Sequence, residues 1–192
     1  MKELVLETSS ELPVAVETSP LALVGNLFYV LVYTGWLKRT TPQNIVIGGA
    51  AGAVPPLVGW AAATGSLSVP ALWLFLIVFF WTPPHFWALS LWRADDYARA
   101  GIQMLPVVEP EGRLTAQQIV VWTLLLVPVS LFPAALGTTG AIYFYGAFLL
   151  GLLFLAASAY AALSNTRKGA RRLLLASVLY LPVLFGLMVF NK

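Results

Sequence analysis

The sequence predicts an all-α protein that crosses a membrane several times, and three observations support this fold class. First, 59% of its 192 residues are hydrophobic and only 10% are charged, whereas soluble domains have about 25% charged residues. Second, six apolar runs have roughly the length of a membrane-spanning helix. Third, the loops between these runs alternate between those that contain Lys or Arg and those that contain neither. These observations exclude an ordinary soluble domain.

Charge and cysteine content narrow the function classes further. The net charge is only +3. The apolar composition predicts a lipid bilayer as partner, and we expect no nucleic acid. The chain has no cysteine, which excludes disulfides, thiolate metal sites and a catalytic thiol.

The first 20 residues differ sharply from the rest of the chain. They contain four glutamates and lack the positive start and the continuous apolar core of a signal peptide. We therefore predict two parts, a polar leader at residues 1–20 and a membrane domain at residues 21–192.

The apolar runs predict six transmembrane helices, at Leu21–Trp36, Asn44–Ala63, Val69–Trp92, Thr115–Leu136, Ala141–Leu163 and Arg172–Phe190. A helix needs about 20 residues to cross the hydrocarbon core, so the first run is short and the others fit. The second run contains GGAAGA, residues 48–53, whose small residues predict close helix contacts. In the third run, Pro83 and Pro84 predict a helix start or a kink.

Basic residues follow the first, third and fifth runs, whereas the loops at residues 64–68 and 137–140 contain none. The positive-inside rule predicts that the basic loops are cytoplasmic and that both termini lie on the other face. The acids of the membrane domain, such as Asp95 and Glu109, also lie in the predicted cytoplasmic loops. The polar chemistry is therefore predicted to gather at one face.

The third span carries side chains that a simple apolar helix does not need. It contains the only histidine, His85, and leads into the adjacent acids Asp95 and Asp96. If the helix continues from Phe86 to Arg99, one stripe carries His85, Leu89, Trp92 and Asp96. Ionisable side chains inside membrane spans indicate function by default. Simpler alternatives stay open: a structural hydrogen bond for the histidine, an interfacial belt for the tryptophans, and a solvated face for the acids.

An acid at the mouth of an apolar cavity suits a prenyl diphosphate. Mg²⁺ prefers one or two carboxylates together with phosphate oxygens, and Lys38, Arg39 and Arg99 would neutralise the remaining phosphate charge. Aromatic walls would hold the lipid tail, stabilise an allylic cation and exclude water. A proton-relaying transporter or channel is the alternative, although the acids are confined to the loops and the leader.

Two stretches carry a family resemblance, YTGWLKRTTPQNIVIGGAAGAVPPLVGW (Tyr33–Trp60) and FFWTPPHFWALSLWRADDYARAGIQMLPVV (Phe79–Val108). Both closely resemble the heme O synthases, the protoheme IX farnesyltransferases among the UbiA-type membrane prenyltransferases, and the resemblance extends from about Leu21 to the C-terminus. It implies a nine-helix bundle in the cell (inner) membrane. It also implies transfer of farnesyl from farnesyl diphosphate to a vinyl group of heme B, with addition of water. Mg²⁺ is the implied cofactor, and other proteins of the heme A pathway or of oxidase assembly are implied partners.

The resemblance also implies site residues. Asp96 and Tyr97 match the family's second aspartate-containing motif and are assigned to catalysis, with Asp96 as a metal ligand; the family pattern is looser at Asp95, which we add as a second carboxylate for the metal. Lys38 and Arg39 match the family's basic loop and are assigned to the diphosphate, and we add Arg99 for its positive charge next to the acidic pair. His85 matches the family's histidine and is assigned to the heme, and we add Trp81 and Trp87 because they flank it in the sequence.

The chain departs from the family pattern in two places. The family has a further acidic motif, NxxxDxxxD, after its second helix, and this sequence contains none. The six spans match the last six of nine, so we expect a truncated chain that lacks the first three helices. The second departure is Gln103, which stands where the family usually has proline.

These departures leave three possibilities open: an active enzyme, an inactive fragment or assembly partner, and a related enzyme with another aromatic acceptor such as a quinone precursor. The stretches WTPPHFW and YTGWLKR favour heme.

Overall fold

A computed structural model describes residues 20–191 and shows an all-helical fold in that part of the chain. The six long helices, numbered in chain order, are Pro20–Thr40 (α1), Asn44–Thr64 (α2), Val69–Trp92 (α3), Arg113–Ala135 (α6), Ala141–Ser164 (α7) and Arg167–Phe190 (α8). Two short helices lie between α3 and α6, namely Ala94–Arg99 (α4) and Leu105–Val108 (α5).

All six long helices are long and apolar enough to cross a membrane, so the predicted fold class is confirmed. The first span is longer than predicted, and the last begins five residues earlier, at Arg167 instead of Arg172. The predicted leader lies outside the described residues except for Pro20.

The first two helices are irregular. Residues Phe28–Leu37 of α1 form a π-helix, in which backbone hydrogen bonds join residues five apart instead of four. The second helix is interrupted at Ala53, between Asn44–Gly52 and Val54–Thr64. The interruption follows from Pro55 and Pro56, because neither residue has an amide N–H to continue the hydrogen-bond ladder of the preceding turn.

The central helix is α3, which packs against α2 on one side and against α6 and α8 on the other. In its most apolar stretch 44% of the residues are buried, against 6% in α1. The buried core that α3 shares with α6, α7 and α8 includes Ile77, Trp87, Ile119, Leu126, Leu173 and Leu184. The outer faces of the helices carry exposed leucine, valine and phenylalanine side chains, as expected of surfaces that face lipid.

Polar side chains pair inside the bundle of α6, α7 and α8. The hydroxyl oxygens of Thr123 and Ser158 lie 3.0 Å apart, and those of Ser130 and Tyr180 lie 2.7 Å apart. The Tyr143 hydroxyl donates to the backbone carbonyl of Ser130 at 2.8 Å. Such hydrogen bonds between helices stabilise membrane bundles because lipid offers the polar groups no other partner.

Loop contacts separate a charged rim from a neutral rim. We define the charged rim as residues 38–44, 93–113 and 165–172, which contain every Lys and Arg of the described part of the chain. Within it the backbone N–H of Gln103 donates to the backbone carbonyl of Lys38 at 3.2 Å, and the side-chain amide of Asn165 donates to the backbone carbonyl of Glu111 at 2.8 Å. At the opposite rim the Gly140 amide donates to the carbonyl of Asn191 at 3.0 Å. The predicted gathering of charge at one face is therefore confirmed.

Candidate functional site

A cavity of about 280 Å³ lies between α1, α2 and α3. We call it the aromatic cavity. Its walls include Tyr29, Tyr33, Gly52, Trp81, Thr82 and Phe86. Aromatic and small residues thus enclose a space inside the membrane-spanning part of the protein, of the kind that accommodates an apolar ligand.

Three glycines of the GGAAGA stretch shape this cavity. A Cβ atom on Gly48 would collide with the ring of Tyr33, and one on Gly49 would lie 3.1 Å from the methyl group of Thr82. The predicted close contacts between helices are therefore confirmed for these two positions. A Cβ atom on Gly52 would meet nothing within 4 Å, because Gly52 borders the empty space itself.

The basic loop after α1 lies next to the aromatic cavity. The ammonium nitrogen of Lys38 lies 5.6 Å from the ring centroid of Tyr33, close enough for a cation–π interaction. The loop is held against the segment that follows α4, because the Asn44 side chain donates to the carbonyls of both Thr41, at 2.7 Å, and Gln103, at 2.8 Å. Arg39 follows Lys38 and is exposed.

The predicted heme residues His85 and Trp81 form one cluster beside the cavity. Their rings are stacked with centroids 4.3 Å apart, and Phe86 packs edge-on against His85 at 5.1 Å. The His85 Nδ1 atom lies 2.7 Å from the hydroxyl oxygen of Ser177 on α8, and the Trp81 indole donates to the Ser177 carbonyl at 2.9 Å. Sequence analysis did not indicate Ser177, which lies 92 residues from His85.

Trp87, the third predicted heme residue, lies elsewhere. It is fully buried and packs edge-on against Trp122 of α6, with ring centroids 6.4 Å apart. It does not border the aromatic cavity. The structure does not bring Trp87 together with His85 and Trp81, and its contact with heme stays a prediction.

The acidic motif begins where α3 ends. Trp92 is the last residue of α3, and Arg93 has non-helical backbone angles, φ −112° and ψ 28°. The predicted third span, Val69–Trp92, is therefore confirmed, and the condition of one continuous helix from Phe86 to Arg99 is not met. The Arg93 guanidinium lies over the ring of Trp92, 4.4 Å from its centroid, and the helical stripe that carries His85 therefore ends at Trp92.

The two adjacent aspartates bind different partners. Asp96 accepts hydrogen bonds from Arg93, at 3.1 Å, and from Arg99. Both oxygens of Asp95 accept from Arg167, at 2.8 and 2.7 Å. All these side chains are exposed, so each ion pair contributes little to stability. The two carboxylates point apart, as their separation of about 100° on a helix implies.

This geometry limits how the aspartates could hold Mg²⁺. Residues 20–191 contain no cluster of three or more His, Asp or Glu side chains that could hold a metal ion. Mg²⁺ is often bound by one or two carboxylates together with substrate phosphates, and Asp96 fits that role. Asp95 is paired with Arg167 instead, and its role at the metal stays a prediction. The residues therefore fit a metal ion that arrives with a diphosphate.

Tyr97 directly follows Asp96 and packs against the hydrophobic core of the bundle. Its side chain is half-buried and lies near the phenol of Tyr33. Burial raises the pKa of the Tyr97 phenol above its ordinary value. The phenol therefore stays protonated at neutral pH and can donate a hydrogen bond.

A second cavity, of about 360 Å³, lies in the charged rim. Its walls include Asp95, Glu111, Thr166 and Arg167. The Asp95–Arg167 ion pair therefore borders this second cavity, and the sequence did not indicate Arg167 as the partner of Asp95.

Comparison with known proteins gives a family match. The model of the UbiA prenyltransferase family matches residues 5–186. A protoheme IX farnesyltransferase of Rhizorhabdus wittichii is 54% identical over 174 residues, which cover 88% of this chain and 57% of the relative. The enzyme of that name from Gloeobacter violaceus is 56% identical, with 86% of this chain and 54% of the relative covered.

A third protoheme IX farnesyltransferase, from Chloroflexus aurantiacus, is 48% identical over 98% of this chain and 33% of its own length. This chain thus spans between a third and three fifths of the length of these curated relatives. No solved structure matches the chain.

Proposed function

We propose a function from the premise that this chain belongs to the UbiA prenyltransferase family, which the match over residues 5–186 establishes. Its six apolar helices make it a multi-pass membrane protein. The proposed reaction is transfer of a farnesyl group from farnesyl diphosphate to heme B, which gives heme O and diphosphate. The observation that carries this proposal is a cavity with aromatic walls inside the spans whose mouth adjoins a basic loop.

The proposed placement of farnesyl diphosphate follows from polarity. The isoprenoid tail would lie in the aromatic cavity, where its burial is favourable. The diphosphate would lie at the charged rim, where Lys38, Arg39 and Arg99 supply positive charge. Asp96 would exchange its arginine partners for Mg²⁺, and the released guanidinium groups would be free to bind phosphate oxygens.

In the proposed chemistry the allylic C–O bond of farnesyl diphosphate breaks and its electron pair leaves with the diphosphate. The basic side chains and the metal ion would stabilise that developing charge. The vinyl group of heme B supplies the electrons for the new carbon–carbon bond. Water then adds to the neighbouring carbon and loses a proton. Tyr97, which remains protonated at neutral pH, would donate a hydrogen bond near the diphosphate.

The heme side of the proposed site is the cluster of His85 and Trp81. It lies beside the aromatic cavity, since Trp81 and Phe86 border both the cavity and the histidine. The names of the three relatives favour heme over another aromatic acceptor. Wherever the porphyrin lies, its vinyl group must reach the end of the cavity where the diphosphate leaves.

We also propose a location. The charged rim would face the cytoplasm by the positive-inside rule, in the cell membrane of a bacterium. The heme A pathway and oxidase assembly would then supply its protein partners.

The direct test is expression of this chain in cells that lack heme O synthase, followed by heme extraction and chromatography. The proposal expects heme O, and expects that membranes from these cells lose the activity when EDTA removes Mg²⁺. A full-length relative serves as positive control, and the same host with empty vector as negative control.

Three results of this test would contradict the proposal in different ways. An inserted chain that forms no heme O is an inactive fragment under these conditions. Farnesylation of a quinone precursor in place of heme identifies another acceptor class. Heme O formation that withstands complete removal of Mg²⁺ contradicts the metal role alone.

A further inference from the structure

A short chain of hydrogen bonds connects His85 of α3 to the backbone of α8. The His85 Nδ1 atom lies 2.7 Å from the Ser177 hydroxyl oxygen, and that hydroxyl donates to the carbonyl of Leu174 at 2.6 Å. Ser177 is fully buried, so water does not compete for these bonds.

The number of protons limits the direction of each bond. A serine hydroxyl has one proton, and a backbone carbonyl can only accept. A Ser177 proton donated to Leu174 leaves the Ser177 oxygen as the acceptor towards His85. This arrangement favours the tautomer with the proton on the His85 Nδ1 atom. In a neutral imidazole this leaves the lone pair on Nε2.

The same serine also restrains the neighbouring ring. The Trp81 indole donates to the Ser177 carbonyl at 2.9 Å, and its ring stacks on His85 at 4.3 Å. His85 is therefore held on one edge by a hydrogen bond and on one face by an anchored indole. Within residues 20–191, Nε2 makes no hydrogen bond that would occupy its lone pair.

We propose that Ser177 is a positioning residue that holds His85 with its proton on Nδ1, so that Nε2 is presented as a ligand to the iron of the heme acceptor. This inference rests on the proposed function, because it takes heme as the substrate. Histidines that bind metals usually donate their other ring N–H to a fixed acceptor, and loss of that acceptor weakens metal affinity by about 10-fold to 100-fold. Ser177 occupies the position of that acceptor.

The first experiment measures heme binding by the purified full chain in lipid nanodiscs. Ferric heme B is titrated, and the Soret band reports both the dissociation constant and axial ligation by nitrogen. We expect Ser177→Ala to weaken binding by about 10-fold to 100-fold and to alter the band, and Ser177→Thr, which keeps the hydroxyl, to restore both. We expect His85→Ala to lose the nitrogen-ligand signature.

Ser158→Ala is the matched control, because it also removes a buried hydroxyl that bonds between helices, here to Thr123. We expect its heme spectrum to equal that of the unaltered chain.

The second experiment uses the unaltered chain, so its outcome does not depend on whether a variant folds. The chain contains a single histidine, so ¹⁵N-histidine labelling of protein purified without a histidine tag gives the signals of His85 alone. We expect the proton on Nδ1 before heme is added. A proton on Nε2 overturns the inference whatever the variants do.

The outcomes also separate this inference from the proposed function. If the unaltered chain binds no heme and forms no heme O, the proposed function fails. If heme binds and His85→Ala leaves the spectrum unchanged, the ligand role fails while the function stands. If Ser177→Ala leaves both affinity and spectrum unchanged, His85 can still be a ligand but Ser177 does not position it.

Discussion

The helices on the two sides of α3 differ in how they use polar and small residues. In the packed half, formed by α6, α7 and α8, hydroxyl groups pair with one another, as Thr123 does with Ser158 and Ser130 with Tyr180. In the open half, formed by α1 and α2, no side-chain hydrogen bond joins the two helices within the described residues. Glycines and aromatic rings meet there instead, and they leave the aromatic cavity.

This difference indicates where function lies. Polar groups that satisfy one another inside a bundle hold helices together and have no capacity left for a ligand. A cavity between aromatic rings beside a charged rim can hold an amphipathic molecule. Substitutions in the open half and its rim should therefore change activity first, and substitutions of the hydroxyl groups that pair within the packed half, such as Thr123 with Ser158, should change stability first.

The largest expected effect comes from Asp96→Asn at the rim of the open half. Loss of a charged ligand at a site of developing charge lowers turnover by about 100-fold to 1,000-fold. Insertion should be unchanged, because the carboxylate makes only exposed ion pairs with Arg93 and Arg99. Heme O formed per inserted chain is the measurement, and normal turnover of this variant would falsify the metal role of Asp96.

Gly52→Phe should have the next largest effect, because its side chain would enter the aromatic cavity without meeting another residue first. We expect kcat/KM for farnesyl diphosphate to fall by about 10-fold to 100-fold, and the shorter geranyl diphosphate to be affected less. Gly59→Phe is the matched control, since a Cβ there also meets nothing within 4 Å and the residue does not border this cavity. Equal losses in both variants would show that the tail lies elsewhere.

Gly48→Ala tests the contact between α1 and α2. The added methyl group would collide with the ring of Tyr33, and overpacking of this kind destabilises a protein by about 1 to 3 kcal/mol. Gly59→Ala gains the same helix propensity without a collision. The difference in the free energy of unfolding by SDS in mixed micelles between the two variants measures the contribution of the Gly48–Tyr33 contact. Equal unfolding curves would mean that this contact does not stabilise the open half.

The smallest expected effect comes from Ser158→Ala in the packed half. Removal of its hydrogen bond to Thr123 should destabilise the bundle by about 0.6 kcal/mol, the average for such bonds in membrane proteins. Heme O formation per folded chain should not change. A fall in activity without a fall in stability would contradict the division between the two halves.

The sequence predicted the features that depend on composition and local spacing. Six spans follow from apolar runs, and the one-sided charge follows from loop content. The close contacts of Gly48 and Gly49 follow from the run of small residues. These features are encoded within one helix or one loop, so they need no knowledge of how the helices are arranged.

The features that the sequence did not reveal depend on helix rotation and on long-range contacts. The bonds from His85 to Ser177 and from Asp95 to Arg167 join residues 92 and 72 positions apart. The end of the third span at Trp92 was predicted, but the stripe from His85 to Asp96 assumed a helix that continues through Arg93, and the backbone angles of Arg93 interrupt it. Trp87 was placed with Trp81 by proximity in sequence, although the helix turns the two rings towards different neighbours.

The winding of α1 has a mechanical consequence for Lys38, which directly follows the π-helical segment Phe28–Leu37. Each π turn takes in more residues than an α turn, so the same residues span a shorter distance along the axis. Conversion of one such turn into an α-helical turn would lengthen the segment along its axis. It would also shift Lys38 along the axis and rotate it away from the ring of Tyr33. The position of the Lys38 ammonium group thus depends on the pitch of the Phe28–Leu37 helix, because Lys38 follows that helix directly.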